Sequence, residues 1–594
     1  MLAHADGPDR SRGRAAGLDP RGLRHRDRRE HRAWVGLAGV RSARAEALLR
    51  RLSRLSGLEE AFERIGRAAE LDLPLTHAPG LALAVTDGTD TLGAVVRGFA
   101  DVAAGRPIRV DTRFQIGSIS KSFAALCLLQ EEARGTVAFD VSVNELLPWL
   151  ELPEPFGPIT LHHLLTHTSG LMTGIEHGPW GKADALRARS YPPTFAPGDR
   201  FSYSNLGYKL VGHVLERVTG MPVHALLQQR ILGPLGMTRS VGAILEEDRA
   251  DAAIGYEPLL SDRPPHLQSQ LAPALWQVSN VADGSIVSTV ADLCAYARVV
   301  LAGGRGPAGV LLEPDGFERW IGPHADAGEP GTCYGYGWNV VNLDGRSSIR
   351  HTGGTLGFES LLAIWPDEGL AVALCLNGYG MRDALGSYAL SAVAAAVGAR
   401  PLHDPVQPEP PERIADADSI AGRFDGGDRT IELDAADGGL VLRSGPLAVR
   451  LERWPDDADI FAVPHPAFDR HLLRVVRDQT GAVLGVSHGP RWYGREDALL
   501  DEEPPVTPGW DAFTGLYRSD APWVRVVTVY ERRGSLFAAW PASGEEYELS
   551  PLPQGWFAVG DPALPRRARF LDMVEGRAQT LDYNGAILTR SFEG

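Results

Sequence analysis

Lysine is almost absent from this chain. Of 59 basic residues only Lys121, Lys182 and Lys209 are lysine, and the rest are arginine. Arginine serves wherever a fixed positive charge is enough. A surviving lysine is therefore a clue to a place where an amine that can lose its proton matters. Cysteine is scarce too: Cys127, Cys294, Cys333 and Cys375 lie far apart with no C-x-x-C, which leaves a zinc-finger or redox reading without support. No run approaches the roughly 18 consecutive apolar residues of a membrane helix, so no membrane partner is expected. A basic excess is missing as well, since the net charge is −16, and this disfavours a nucleic-acid partner. There is no G-x-S-x-G elbow and no phosphate loop. His163 and His167 stand four apart, but no Glu follows His163 as in H-E-x-x-H, so neither a metal nor a cofactor is expected.

With 594 residues the chain is long enough for roughly three to four domains and a large core. Residues 1–50 are Arg-rich, with Gly, Asp and Pro interspersed, and read as a disordered tail. The apolar stretch Ala33–Val40 is short and bracketed by Arg32 and Arg41, unlike a secretory signal, so a cytoplasmic location is expected. A helical pattern follows over about 45–70, through Leu48, Leu52, Leu55, Leu58, Phe62 and Ile65. Strand-like runs come next, Gly80–Asp87 and Leu92–Phe99, joined by a turn at Asp87–Asp90. A mixed stretch to about 400 ends in the runs Ser347–Arg350, Glu359–Trp365 and Leu370–Asn377. No regular strand–helix alternation appears, so the class is α/β of the α+β type with an antiparallel sheet.

Residues 403–412 hold Pro405, Pro408, Pro410 and Pro411 and read as a linker after a domain at 51–402. Beyond it come short alternating strands, split by Pro504, Pro505 and Pro508 into units at 413–500 and 509–594. The units repeat one another. Ile420-Ala421-Gly422-Arg423-Phe424 matches Phe513-Thr514-Gly515-Leu516-Tyr517, Ile460-Phe461 matches Trp556-Phe557, and Gly481 matches Gly576. A period of roughly 95 residues is too long for a solenoid and fits two small β-barrels or sandwiches.

Three segments carry chemistry. In Phe114–Phe123, Ser118 and Lys121 are three apart at the start of an apolar helix that ends near Gly135, so they share one face. The helix dipole favours negative charge near Ser118, and a neutral Lys121 amine can take the serine proton. The ordinary alternative is an N-cap serine with a solvated lysine. In Pro197–Tyr208, a Pro-Gly turn leads into Tyr203-Ser204-Asn205 and a helix through Leu215. Tyr203 can share a proton with Lys121 and Asn205 can hold a substrate amide; the alternative is a capping Ser204 or Asn205 beside a packed tyrosine. In His351–Phe358, between two strand-like runs, Gly353 and Gly354 would let a substrate approach an edge strand; the alternative is a Gly-rich hairpin with an exposed histidine.

Taken together and in this order, S-x-x-K, Y-x-N and [KH]-T-G resemble the serine β-lactamase and penicillin-binding-protein superfamily. The branch is the class C β-lactamase-like one, with its D-aminopeptidases, D-Ala-D-Ala carboxypeptidases and esterases. The flanking Thr160–Leu171 and Gly284–Thr289 are similar to that branch, and the resemblance covers about 55–400. It implies a β-lactamase/transpeptidase-like catalytic domain and a serine hydrolase working through an acyl-enzyme. By this resemblance Ser118 is the nucleophile, Lys121 its proton acceptor and Tyr203 a general base and acid. Asn205, His351, Thr352 and Gly353 line the substrate, and the backbone N–H groups of Ser118 and Gly354 form the oxyanion hole. The two C-terminal units resemble the lipocalin-like barrels appended to some D-aminopeptidases. The expected partner is a small amide, D-amino-acid peptide or ester substrate. Two rival readings stand beside this one, a true β-lactamase and a non-catalytic penicillin-binding-like interaction protein. One departure separates the chain from the lactamases: His351 stands where they have Lys. An ordinary imidazole titrates near pH 6.5, so carboxylate substrates are expected to bind more tightly as pH falls from about 8 to 6.

Overall fold

The computed structural model describes residues 56–174, 181–343, 345–380, 382–455, 457–496 and 507–591. The Arg-rich tail, the helical pattern over 45–55, Pro504 and Pro505 lie outside the described residues. Helix α1 (56–72) places Leu58, Ala61, Ile65 and Ala68 at helical spacing on one buried face. Next come β1 (Gly80–Asp87), β2 (Thr91–Asp101) and β3 (Arg106–Pro107), then the long helices α2 (Ser120–Ala133), α3 (Asn205–Thr219) and α4 (Val290–Leu301). The chain then completes its sheet with β4 (Ala325–Asp326), β5 (Thr332–Tyr334), β6 (Asn339–Leu343), β7 (Arg346–Thr355), β8 (Phe358–Trp365) and β9 (Leu370–Leu376), and ends this region in α5 (Arg382–Val397).

These strands form one antiparallel sheet in the order β4-β5-β6-β7-β8-β9-β1-β2-β3, so the last long strand, β9, pairs with the first. Side-chain alternation gives the sheet two buried faces. Leu81, Leu83 and Val85 of β1 and Val372, Leu374 and Leu376 of β9 pack with α1 and α5. Their neighbours Ala82, Ala84, Ala371 and Ala373 belong to the larger core shared with α2 and α4. Small residues on that face let α4 lie close to the strands. α2 sits inside the core, with twelve of its residues buried, from Ser120 to Glu131. A helix buried on every side needs no amphipathic stripe, which is why its apolar run is continuous.

Two all-β units follow, as expected. In the first, nine strands between Gly422–Asp425 and Arg491–Arg495 form a sheet whose two end strands, Leu447–Arg450 and Glu452–Arg453, are consecutive in the chain and separated only by the buried Leu451. This is a barrel with its closing strand divided. In the second, eight strands from Gly515–Arg518 to Ala586–Arg590 close fully. The sequence repeat maps onto equivalent elements: Gly422 and Gly515 each open the first strand of their unit, and Phe424 and Tyr517 are both fully buried.

Both barrels dock on the first domain. The loop between the short strands Tyr256–Pro258 and Leu271–Pro273 carries Asp262, whose carboxylate meets Arg470 of the first barrel at 2.7 Å and Arg518 of the second at 3.2 Å. Glu257 pairs with Arg525 at 2.6 Å. On the other side of the second barrel, the Tyr191 hydroxyl donates to Asp582 at 2.5 Å and the Tyr191 ring meets Trp556 edge-on.

Candidate active site

A one-turn 3-10 helix, Gly117–Ile119, delivers Ser118 directly ahead of α2. Gly117 makes the turn with φ of +50°, a conformation that side-chain-bearing residues avoid. The turn is held on both sides. The Ile116 N–H donates to the Ile286 carbonyl at 3.0 Å, and the Ile116 carbonyl accepts from the Ser360 hydroxyl on β8 at 2.8 Å. α2 ends as its sequence implies, with Gly135 in the left-handed conformation just past the cap.

Lys121, one turn into α2, is fully buried. Its Nζ donates to Ser118 Oγ at 2.9 Å and to the Asp283 main-chain carbonyl at 2.8 Å. Among the described residues no carboxylate lies within ion-pair distance of it. Lys209 is buried just as deeply but is paired with Asp184 at 2.6 Å. Lys182 is exposed, its Nζ 5.0 Å from the centre of the Trp149 ring. Of the three lysines, Lys121 is therefore the one poised as an amine against a hydroxyl.

Tyr203 lies beside this pair, its ring centre 5.1 Å from Lys121 Nζ. The segment 166–173 sets its position. The Ser202 N–H donates to the His167 carbonyl at 2.8 Å, and the Ser204 N–H donates to His167 Nδ1 at 3.0 Å. The Thr173 hydroxyl donates to the Tyr203 carbonyl at 3.1 Å. Ser204 caps α3, its oxygen accepting from the Gly207 N–H at 3.1 Å, and this brings Asn205 to the helix start facing the Ser118 cleft. His167 adopts φ of +58°, an unfavourable conformation for a side-chain-bearing residue, and its ring lies tilted against Tyr203 with ring centres 4.2 Å apart. It has left the short helix Leu161–Leu165 on which His163 sits, so the two histidines do not share a helix face.

The third segment is strand rather than the turn of a hairpin. β7 runs through His351-Thr352-Gly353-Gly354 without a break, each residue in register with β8, from His351 opposite Leu362 to Gly354 opposite Glu359. The strand lies hard against the nucleophile turn. A β-carbon on Gly353 would fall 1.9 Å from the Ile116 carbonyl oxygen, and one on Gly117 would fall 2.6 Å from the Gly354 nitrogen. Glycine at these two positions lets two backbones touch and brings the Gly354 N–H beside Ser118.

His351 is not exposed. It retains 2% of its surface, and burial, helped by the charge of Lys121, pushes its pKa down to about 3. Its Nδ1 lies 2.6 Å from the Thr352 carbonyl, which can only accept, so Nδ1 carries the proton; Nε2 therefore accepts from the Tyr334 hydroxyl at 3.0 Å. The expectation that this histidine titrates near pH 6.5 is thus overturned: the ring is neutral throughout the physiological range.

Two clefts meet at Ser118. One, of about 370 Å³, runs along β7 and is lined by Phe201, Tyr203, Glu329, Asn339, His351 and Thr352, among others; among the described residues no Lys or Arg lines it. The other, of about 380 Å³, runs past Asn205 and Asp283 to the second barrel, which contributes Trp523, Trp540, Glu545 and Arg566. All the residues singled out from sequence, Ser118, Lys121, Tyr203, Asn205, His351, Thr352, Gly353 and Gly354, are gathered here. Sequence reasoning weighed His167 only as half of a metal pair, and missed Tyr334, Asp283 and the barrel residues. His167 carried a further signal through its place in Thr160–Leu171.

Comparison with known proteins bears on the family. The sequence model of the family described as Beta-lactamase matches residues 68–396. The chain is 29% identical over 433 residues to a D-aminopeptidase of Cereibacter sphaeroides, covering 68% of this chain and 80% of that protein. It is 38% identical over 172 residues to esterase EstB of Burkholderia gladioli, covering 25% of this chain and 43% of the esterase. Among solved structures, the octameric penicillin-binding protein homologue from Pyrococcus abyssi superposes with a TM-score of 0.50 at 23% identity, over 73% of this chain and 98% of that one. No helix among the described residues is long and apolar enough to cross a membrane.

Proposed function

The chain belongs to the Beta-lactamase family and is a serine hydrolase, and from that premise we propose that it cleaves small amides, D-amino-acid peptides or esters through an acyl-enzyme on Ser118. The observation that carries the reading is the 2.9 Å hydrogen bond from Lys121 Nζ to Ser118 Oγ, made by a buried lysine that has no carboxylate within ion-pair distance among the described residues. In the first step Ser118 Oγ attacks the scissile carbonyl and its proton passes to Lys121. The oxyanion is held by the N–H groups of Ser118 and Gly354. Collapse breaks the C–N or C–O bond, and the leaving group takes a proton through Tyr203. Water then attacks the ester, and Ser118 regains its proton.

The cleft along β7 bears on the choice of substrate. A lactamase-type site there needs a cation for the substrate carboxylate. Here the position holds a neutral His351, and the charged residue lining the cleft is Glu329. Substrates lacking a carboxylate on that side fit better than penicillins or cephalosporins.

The test is intact-mass measurement after a fluorophosphonate and after a penicillin, with tryptic mapping and a substrate panel. The expected outcome is a single fluorophosphonate adduct on Ser118, turnover of amides or esters, and slow or absent acylation by penicillin. A folded Ser118→Ala that retains full turnover would sink the mechanism. Efficient cephalosporin turnover with no activity on amides or esters would overturn the substrate class.

A further inference from the structure

The cleft along β7 has a negative charge at its mouth and no cation to balance it. Glu329 lines this cleft from the loop between β4 and β5, is exposed, and has no ion-pair partner among the described residues. Hydrogen bonds fix the loop that carries it. The Ala327 N–H donates to the Thr332 carbonyl at 3.1 Å and the Thr332 N–H to the Glu329 carbonyl at 3.0 Å. The Asn342 N–H of β6 donates to the Gly331 carbonyl at 2.8 Å. The backbone on both sides of Glu329 is therefore tied down beside the cleft that contains Ser118.

The rest of the wall suits the same ligand. Phe201 and Tyr203 contribute half-buried aromatic rings, and such rings attract an organic cation within roughly 6 Å of their centres. His351 is neutral, because burial and then the charge of Lys121 hold its pKa down. A carboxylate and two aromatic rings, with no Lys or Arg lining the cleft among the described residues, are the chemistry that receives an alkylammonium group. Lys121 bounds the favourable region on the inner side. It lies 5.1 Å from the centre of the Tyr203 ring and donates to Ser118 Oγ, so a second cation is disfavoured next to the serine and favoured further out, toward Glu329.

Tyr203 decides which half of the substrate that cation belongs to. It lines this cleft and not the one that runs to the second barrel. The leaving group takes its proton through Tyr203, so it departs into the cleft along β7. Building on the reading of Ser118 as nucleophile and Tyr203 as proton donor, we infer that Glu329, Phe201 and Tyr203 form a leaving-group subsite for an alkylammonium carried a few bonds beyond the scissile bond. With an ester, the C–O bond breaks and the acyl group passes to Ser118 Oγ. The alcohol leaves with the proton that reaches it through Tyr203 and with its ammonium toward Glu329. Water then frees the acid and returns the proton to Ser118.

The test compares propionylcholine with neohexyl propionate, its uncharged isostere, on the full-length protein and on Glu329→Gln and Glu329→Lys. Both esters give the same acyl-enzyme, so their kcat/KM values differ only through the leaving group, and their intrinsic reactivities cancel when one protein is compared with another. Acid release in a pH-stat should show the unmodified protein favouring propionylcholine. Glu329→Gln should lower that preference by roughly two- to fivefold, the size expected of one exposed charge pair, and Glu329→Lys should lower it further. Raising the salt from about 20 to about 500 mM should shrink the preference of the unmodified protein, because an exposed carboxylate is screened. Without any turnover, choline should protect Ser118 from a fluorophosphonate at concentrations at least roughly threefold below those of neohexyl alcohol. A preference ratio unchanged in both Glu329 variants, with both esters slowed together, would make Glu329 a brace for its loop and overturn the subsite. Labelling of Ser118 that choline blocks no better than neohexyl alcohol would overturn the subsite and leave the nucleophile standing. Failure of Ser118 to label, with neither ester turned over, would overturn both readings.

Discussion

Replacing Gly353 by alanine puts a methyl group where two backbones already touch. The new β-carbon would fall 1.9 Å from the Ile116 carbonyl oxygen and 2.5 Å from Ser360 Oγ, whereas ordinary contact begins at 3.4 Å. The strand and the nucleophile turn must therefore part by about 1.5 Å. β7 cannot absorb this by sliding, because its register with β8 is fixed from Ile349 to Thr355. The Ile116 carbonyl is in turn held by Ser360 from the same β8. The turn that carries Ser118 has to give, and the gap opens between Ser118 and the Gly354 N–H. Misplacement of reacting groups by roughly 1 Å costs on the order of 10²-fold in rate, equivalent to about 2.7 kcal/mol of barrier. Overpacking costs roughly 1–3 kcal/mol of stability. The assay is the second-order rate of fluorophosphonate labelling of Ser118, read by intact mass beside a thermal melt. Gly88→Ala serves as the control, since its β-carbon meets nothing within 4 Å. Labelling of Gly353→Ala within about threefold of the unmodified rate, at an unchanged Tm, would refute the close approach and the oxyanion role of Gly354 that depends on it.

Lys121→Arg should be nearly as inactive as Lys121→Met, with turnover lower by roughly 10² to 10⁴, because a guanidinium keeps the charge but cannot accept the Ser118 proton; steady-state kinetics with an ester substrate decides. Acid should destabilise the fold. His351, held at about 3, and His162, pushed by burial and then by its neighbour His324 to about 4, are neutral when folded and titrate near 6.5 when unfolded. Their contribution is therefore complete above pH 6.5 and is lost as pH falls from there toward 4. Urea midpoints at pH 7.5 and 5 should show the drop, and His162→Gln should make it smaller. Carboxylate substrates should show no change in KM between pH 8 and 6 that His351→Gln abolishes. A chain of residues 51–402 alone should lose the wall made by Trp523, Trp540 and Glu545; an altered ranking of substrates across the panel is the expected result, and unchanged kinetics would reduce the barrels to scaffold.

The parts of the site that were legible in the sequence are those whose geometry is local. Ser118 and Lys121 meet because three residues make nearly one helical turn, and Asn205 starts α3 because Ser204 caps it. β1 was legible to its last residue, since its apolar run ends at an Asp-Gly turn. The state of His351 was not legible. It depends on Tyr334, which lies on β5 and reaches it across the sheet, and on burial that a Gly-rich stretch does not announce. Nor did the pattern show that β7 continues through the glycines, because its pairing partners lie on β8. Asp283 sits among Ala282, Gly284 and Ser285 with no motif to mark it, and the barrel residues of the cleft are hundreds of positions away. The Gly-aromatic repeat did reveal two equivalent units. It concealed the break at Leu451, which separates an interrupted barrel from a closed one.

The burial of Lys121 and Lys209 has a practical corollary for handling this protein. Apart from the chain's N-terminal amine, Lys182 is the single solvent-facing primary amine among the described residues. Among the lysines, an amine-reactive dye or support at modest excess will therefore attach at one place, Lys182 beside Trp149. A lysine-specific protease has the same restricted view. On the native protein its cut is confined to Lys182, and fragments ending at Lys121 or Lys209 appear only from molecules that have opened their core. The ratio of those fragments is a direct meter of unfolding that needs neither substrate nor label.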